Sequence, residues 1–177
     1  MASCLSEHGL HELNGINVEV KNTMNFPVEI IDYRPEYIGD FRGLNLEWLN
    51  RYKLAESHDL AVLKDPKAMI LDPGGFIWLA YCDNMVVGSA ALIKVGEGEF
   101  ELAKMAVAPA YRGRGISKLL IERCIDHAKT IDAKKISLYS NHQLLTALKL
   151  YEKYGFNYVE LVDSPFKTAD IRMELIL

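Results

Sequence analysis

Apolar and polar positions change period several times along the chain, and those changes mark out its elements. Val28 to Tyr33 is a short apolar run that reads as a strand, and Pro35 follows where the first turn of a helix tolerates proline. Ile38, Phe41, Leu44, Leu46, Trp48 and Leu49 give that helix an apolar stripe, and a second helical stretch covers Asp59 to Leu63 before Pro66. Asp72-Pro73-Gly74-Gly75 is dense in residues that break both periods and predicts a turn. Phe76 to Tyr81 and Met85 to Lys94 read as strands joined at Asp83-Asn84, a tight-hairpin signal. A further strand spans Phe100 to Val107 and stops at Pro109.

Strand and helix alternate in the second half. Ile116, Leu119, Leu120, Cys124 and Ala128 recur at helical spacing, so a helix runs from about Arg114 to Thr130. Ile136 to Ser140 returns to strand, and Leu144, Ala147, Leu148 and Tyr151 mark a helix stopped by Gly155. In the tail, Ile171, Met173, Leu175 and Leu177 alternate with Asp170, Arg172 and Glu174, the pattern of a half-buried strand. The order predicts an α/β (α+β) protein with a mixed sheet of six or seven strands and helices on both faces.

At 177 residues, half of them apolar, the chain can bury one substantial core but hardly two. Residues 1–25 lack a sustained period and read as an N-terminal extension, leaving 26–177 as a single domain. A net charge of -4 argues against non-specific binding of nucleic acid, which depends on neutralising phosphates. No signal-peptide pattern and no run of about 18 apolar residues is visible, so a cytoplasmic protein without a membrane partner is expected. Cys4, Cys82 and Cys124 form no metal-ligand spacing and read as reduced thiols; no metal is expected.

The stretch Val107-Ala108-Pro109-Ala110-Tyr111-Arg112-Gly113-Arg114-Gly115-Ile116-Ser117 carries the most chemistry. Two glycines between a strand and a helix let successive N–H groups turn toward one point, where the helix adds its positive end. Arg112 and Arg114 supply further charge. A dinucleotide fingerprint would need glycine where Lys118 stands, and a Walker loop would need Gly-Lys-Ser/Thr, which is absent. On its own, the loop also suits an ordinary strand-to-helix turn.

The loop resembles motif A of the GNAT acetyltransferases, Gln/Arg-x-x-Gly-x-Gly/Ala, written here Arg112-x-x-Gly115-x-Ser117 with serine in the last small position. Glu101-Leu102-Ala103-Lys104-Met105-Ala106-Val107 resembles the family's fourth strand, and Leu150-Tyr151-Glu152-Lys153-Tyr154-Gly155-Phe156 its motif B. The resemblance extends to GNAT domains sometimes fused to MarR-type regulators, which usually carry Tyr-x-Arg-Ala-Asn before the closing strand. This chain has Phe166-Lys167-Thr168-Ala169-Asp170 there.

The resemblance implies an N-acetyltransferase that moves an acetyl group from acetyl-CoA to a primary amine of a small molecule or peptide. The alternative is a CoA-binding sensor or interaction module without turnover, and a homodimer is compatible with either. It further implies that Arg112, Gly113, Arg114, Gly115, Ile116 and Ser117 hold the coenzyme's pyrophosphate. Backbone near Met105, Ala106 and Val107 would pair with its pantetheine arm where the fourth strand splays from its neighbour. Asn141 would contact pantetheine or cap the next helix. Tyr151 matches the family's general acid, or is a core tyrosine on its helix stripe. Glu101 matches the general base of histone-type members, or is a strand-end carboxylate, solvated or bridged to Lys104 or another cation. His127 and His142 are expected in surface or capping roles. Trp48, Tyr52, Phe76 and Trp78 are assigned to core and substrate-side wall. Glu47, Arg51, Glu56 and His58 fall in the family's variable acceptor region, where acids would suit a cationic amine.

Overall fold

A computed structural model of the chain describes residues 27–162 and 164–177. The expected extension, with Cys4, lies outside the described residues. Seven strands form one sheet among these residues, in the order β1-β2-β3-β4-β5-β7-β6. They are β1 (Glu29–Asp32), β2 (Phe76–Cys82), β3 (Met85–Gly96), β4 (Glu99–Val107), β5 (Lys135–Ser140), β6 (Asn157–Val159) and β7 (Ile171–Ile176). Only β4 and β5 run parallel; the other neighbours are antiparallel. Asp83 and Asn84 join β2 to β3 with φ of 52° and 59°, as a two-residue hairpin matching the sheet's twist requires.

Helices cover both faces, as the alternation predicted. On one face, α3 (Ile116–Thr130) and α4 (Leu145–Lys153) bury Trp78, Leu92, Leu102, Leu120, Ile136 and Met173. On the other, α1 (Ile38–Tyr52) and α2 (Ser57–Lys64) enclose a second cluster that includes Phe41, Leu49, Val62, Leu63 and Leu79. Successive residues of β2 divide between the two clusters, Trp78 to the first and Leu79 to the second, as the pleat dictates. Cys82 and Cys124 are buried thiols.

Four expectations are corrected by the structure. The third helix starts at Ile116, not Arg114, because Gly113 and Gly115 adopt φ of 78° and 81°, which a right-handed helix cannot contain. The one-turn π-helix Lys67–Leu71 and the short strand β6 were not anticipated; both are too brief to show a period. The stripe of α1 includes Asn45, which is fully buried, while Ile38 faces solvent. His127 takes neither a surface nor a capping role. Its ring packs edge-on against Phe76 and Trp78, with centroids 4.2 and 5.0 Å away, and its Nε2 is buried with no partner among the described residues. Desolvation, then the nearby Arg123, hold its pKa below the ordinary value.

Candidate functional site

The parallel contact between β4 and β5 is short. It runs through Glu99↔Lys135, Phe100↔Ile136 and Glu101↔Ser137, and from Leu102 onward no residue of β4 pairs with β5. The two strands therefore splay beyond Glu101, leaving the β5-side edge of β4 open past Met105, Ala106 and Val107. On its other side β4 carries a bulge: pairing with β3 jumps from Ser89↔Ala106 to Ala91↔Ala103, and Lys104 lies between at φ 52°.

A left-handed lysine inside a strand is strained, and the structure shows what holds it. The Ser89 hydroxyl donates to the Lys104 carbonyl at 2.8 Å. Asn45 Nδ2 in turn donates to Ser89 Oγ at 3.1 Å and to the Phe41 carbonyl at 2.9 Å. This explains a buried asparagine in an apolar stripe: α1 and β3 together fasten the bulge. Lys104 Nζ then reaches Asp59 Oδ1 of α2 at 2.6 Å, with both side chains buried. No residue spacing in the sequence pointed to that pair, whose members are far apart in the chain.

A cavity of about 90 Å³ opens at the mouth of the splay, bounded by Glu101, Lys104, Asp59, Asn141, Trp48 and Phe166 among others. Burial pushes the Glu101 carboxyl up to about 7; Lys104 draws it down and Asp59 raises it further. Lys104 is committed to Asp59, so Glu101 is not the salt-bridged partner of Lys104 that the sequence left open. Asn141 is buried. Its Nδ2 donates to the Thr168 carbonyl at 2.7 Å, and its Oδ1 accepts from the Gln143 amide at 3.0 Å. It does not cap α4, whose N-cap is Leu144.

The segment that differs from the Tyr-x-Arg-Ala-Asn pattern lies against this cavity. Thr168 donates from its amide and its hydroxyl to Glu56 Oε1, at 2.7 and 2.8 Å. Asp170 accepts from the His142 amide at 2.8 Å and contacts its ring Nδ1. His142 is thus a surface residue, one of its two expected roles, and it holds this strap without capping α4. Phe166 meets His58 and Tyr139 edge-on. Trp48 is in the wall, whereas Trp78 is core on the opposite face and Phe76 stacks on it. Tyr52 packs against the α1/α2 cluster. Both acids expected to suit a cationic acceptor are already engaged, Glu56 by Thr168 and Glu47 by Arg112.

The glycine loop follows β4. None of the amides of Gly113, Arg114, Gly115, Ile116 and Ser117 donates to a backbone carbonyl among the described residues. Successive amides without acceptors, ending at a helix N-terminus, form an anion cradle. The side chains beside the cradle have partners of their own. Arg112 is drawn to Glu47 at 2.7 Å and to the Val107 carbonyl at 3.0 Å, Arg114 stacks over Tyr111, and the Ile116 side chain is core. At Gly115 an added Cβ would meet nothing within 4 Å, so the need for glycine is its φ alone. Gly115→Ala is expected to cost about 1 kcal/mol, seen as a lower urea midpoint. An unchanged midpoint would mean that the loop has another conformation in solution.

Tyr151 is not in the cavity wall. It sits on α4 beside Phe156, and its hydroxyl makes no hydrogen bond among the described residues. Desolvation, then the neighbouring Cys124, push its pKa up to about 12, so the phenol stays protonated.

Residues 42–156 match the acetyltransferase (GNAT) family. An N-acetylaspartate synthetase of Xenopus tropicalis is 35% identical over 92 residues, 51% of this chain and 34% of the relative, so the chain spans about a third of that protein's length. The uncharacterised N-acetyltransferase YvbK of Bacillus subtilis is 28% identical over 114 residues, 63% of this chain and 73% of the relative. A GNAT acetyltransferase of Staphylococcus aureus Mu50 shares the fold with a TM-score of 0.76 at 23% identity, over 84% of this chain and 98% of its own. With the splayed strands, the bulge and the amide cradle in place, this chain belongs to the acetyltransferase (GNAT) family.

Proposed function

We propose that the chain transfers an acetyl group from acetyl-CoA to a primary amine of a small molecule or peptide, by direct attack in a ternary complex. The observation that carries this reading is the cavity at the β4–β5 splay, with a carboxyl of pKa about 7 in its wall. Acetyl-CoA supplies the activated acyl group. The amides of Gly113 to Ser117 hold its pyrophosphate, and the open edge of β4 at Met105, Ala106 and Val107 pairs with its pantetheine arm. Asn141, in the cavity wall, contacts that arm and orders the strap through its side-chain hydrogen bonds.

Glu101 takes the proton that the acceptor's ammonium must lose before its nitrogen can attack, directly or through a water. As the C–N bond forms and the C–S bond breaks, the Tyr151 hydroxyl donates its proton to the leaving thiolate, and the second proton, shed by the acylated nitrogen, passes through solvent to restore the Tyr151 phenol. Aspartate, which the name N-acetylaspartate synthetase attaches to one relative, is one candidate acceptor within this class.

Tyr151→Phe is expected to lower kcat at least tenfold while leaving CoA affinity nearly unchanged. Thiol release and calorimetric titration with CoA read the two quantities separately. Undiminished turnover would remove Tyr151 from the mechanism. Binding of CoA without thiol release on any amine would favour a binding module over an enzyme.

A further inference from the structure

Resting on the acetyl-transfer reading, in which Glu101 is the base, we propose that Asp59 and Lys104 are positioning residues for it: the buried pair sets the charge that the Glu101 carboxyl meets, and Asp59 keeps Lys104 from becoming its salt-bridge partner. The backbone of β4 brings the three together. Phe100 and Leu102 point into the cluster under α3 and α4, and an unbroken alternation would send Lys104 after them, away from Glu101. The bulge prevents this. Past it, Met105 and Val107 take the α3/α4 side, and Lys104 shares the cavity wall with Glu101 and Asp59. Ser89 of β3 and Asn45 of α1 hold the left-handed backbone that makes the exchange. A strained residue fastened from two elements, delivering a buried cation to a buried carboxyl, points to a use at that site.

Lys104 and Asp59 are matched to each other, Nζ to Oδ1 at 2.6 Å, and the second oxygen of Asp59 accepts from the Glu56 amide at 3.2 Å. Glu101 is left without an ion pair among the described residues. Lys104 and Asp59 are the charges that act on it, in opposite senses, beneath the larger effect of burial. Its partners across the sheet, Ile93 and Ser137, carry no charge, and α1 and the strap contribute only uncharged side chains to the wall. Tyr139 of β5 is the other ionisable group in it, and Lys135 below is shared by Glu99 and Glu174. With the pair intact the two charges oppose each other, and burial decides where Glu101 titrates. A released Lys104 would pair with Glu101 and hold it ionised, as a weaker base; a lone Asp59 would hold it protonated.

The test follows the Glu101 carboxyl resonance through pH by NMR in the whole chain, identified by its loss in Glu101→Gln. Beside it runs the pH profile of thiol release from acetyl-CoA, with whichever of L-aspartate, n-butylamine and spermidine the wild type acetylates fastest. Asp59→Asn leaves Lys104 free to turn to Glu101 and is expected to move both titrations to lower pH by about one pH unit or more; Lys104→Met is expected to move them to higher pH. The double variant removes both charges and stays folded where a single variant does not. It is expected to titrate within about half a pH unit of the wild type. A carboxyl resonance that stays in place in the single variants, or moves by about one pH unit or more in the double variant, would overturn the role of the pair and leave acetyl transfer standing. A resonance that moves as stated while thiol release keeps its own pH dependence would remove Glu101 as the base and leave the pair's hold on it intact. The NMR titration needs no acceptor, so it decides the role of the pair even where none of the amines is acetylated.

Discussion

Lys104→Met is expected to cost about 3–5 kcal/mol of folding stability, the largest single effect anticipated outside the core. The reason is what remains. Asp59 is 8% exposed, and besides Lys104 its carboxylate accepts from the Glu56 amide, at 3.2 Å through Oδ2. Methionine fills much of the lysine's volume but leaves a desolvated charge without its counter-ion. The double variant Lys104→Met, Asp59→Asn removes both charges and is expected to recover most of the loss, because a buried ion pair contributes little net stability when both partners go. Urea unfolding of the wild type, the single variants and the double variant closes the cycle. A loss below about 1 kcal/mol in Lys104→Met would place the pair among hydrated surface bridges.

This pair also shows where sequence reasoning stops. The hairpin at Asp83-Asn84, the alternation of β7 and the glycine loop were legible because each is a local backbone matter, written in adjacent residues. Asn45 and Lys104 were not. Asparagine in a helix stripe and lysine in a strand both read as solvent-facing positions, and each is buried only because a partner elsewhere in the chain faces it, Ser89 for one and Asp59 for the other. The strap from Phe166 to Asp170 was visible as a departure from a family pattern. Its role as cavity wall became clear only with Glu56 and His142 brought against it. The partners of Arg112 and Arg114 were not legible either: one pairs with Glu47, far away in the chain, and the other stacks over Tyr111.

Glu101→Gln is expected to lower kcat/KM by about a hundredfold or more and to change the shape of its pH dependence. With the carboxyl near 7, the base is protonated and idle at low pH; activity should climb as pH rises through about 7 and level above it. Glutamine cannot accept the proton, so that ascending limb should vanish in the variant. If the limb persists at full amplitude, a water chain or another group is the base. The same shift makes a stability prediction with a definite sign. The folded-state pKa of about 7 lies above the ordinary 4.5, so the folded protein binds this proton more tightly than the unfolded chain. Its contribution is fully present below pH 4.5 and is lost as pH rises through about 7. Glu101→Gln should therefore match the wild type at low pH and become the more stable of the two above neutrality, because it never places an ionised carboxylate in the desolvated wall. Urea midpoints on either side of that window separate the two effects: a merely structural role for Glu101 would move stability without removing the kinetic limb.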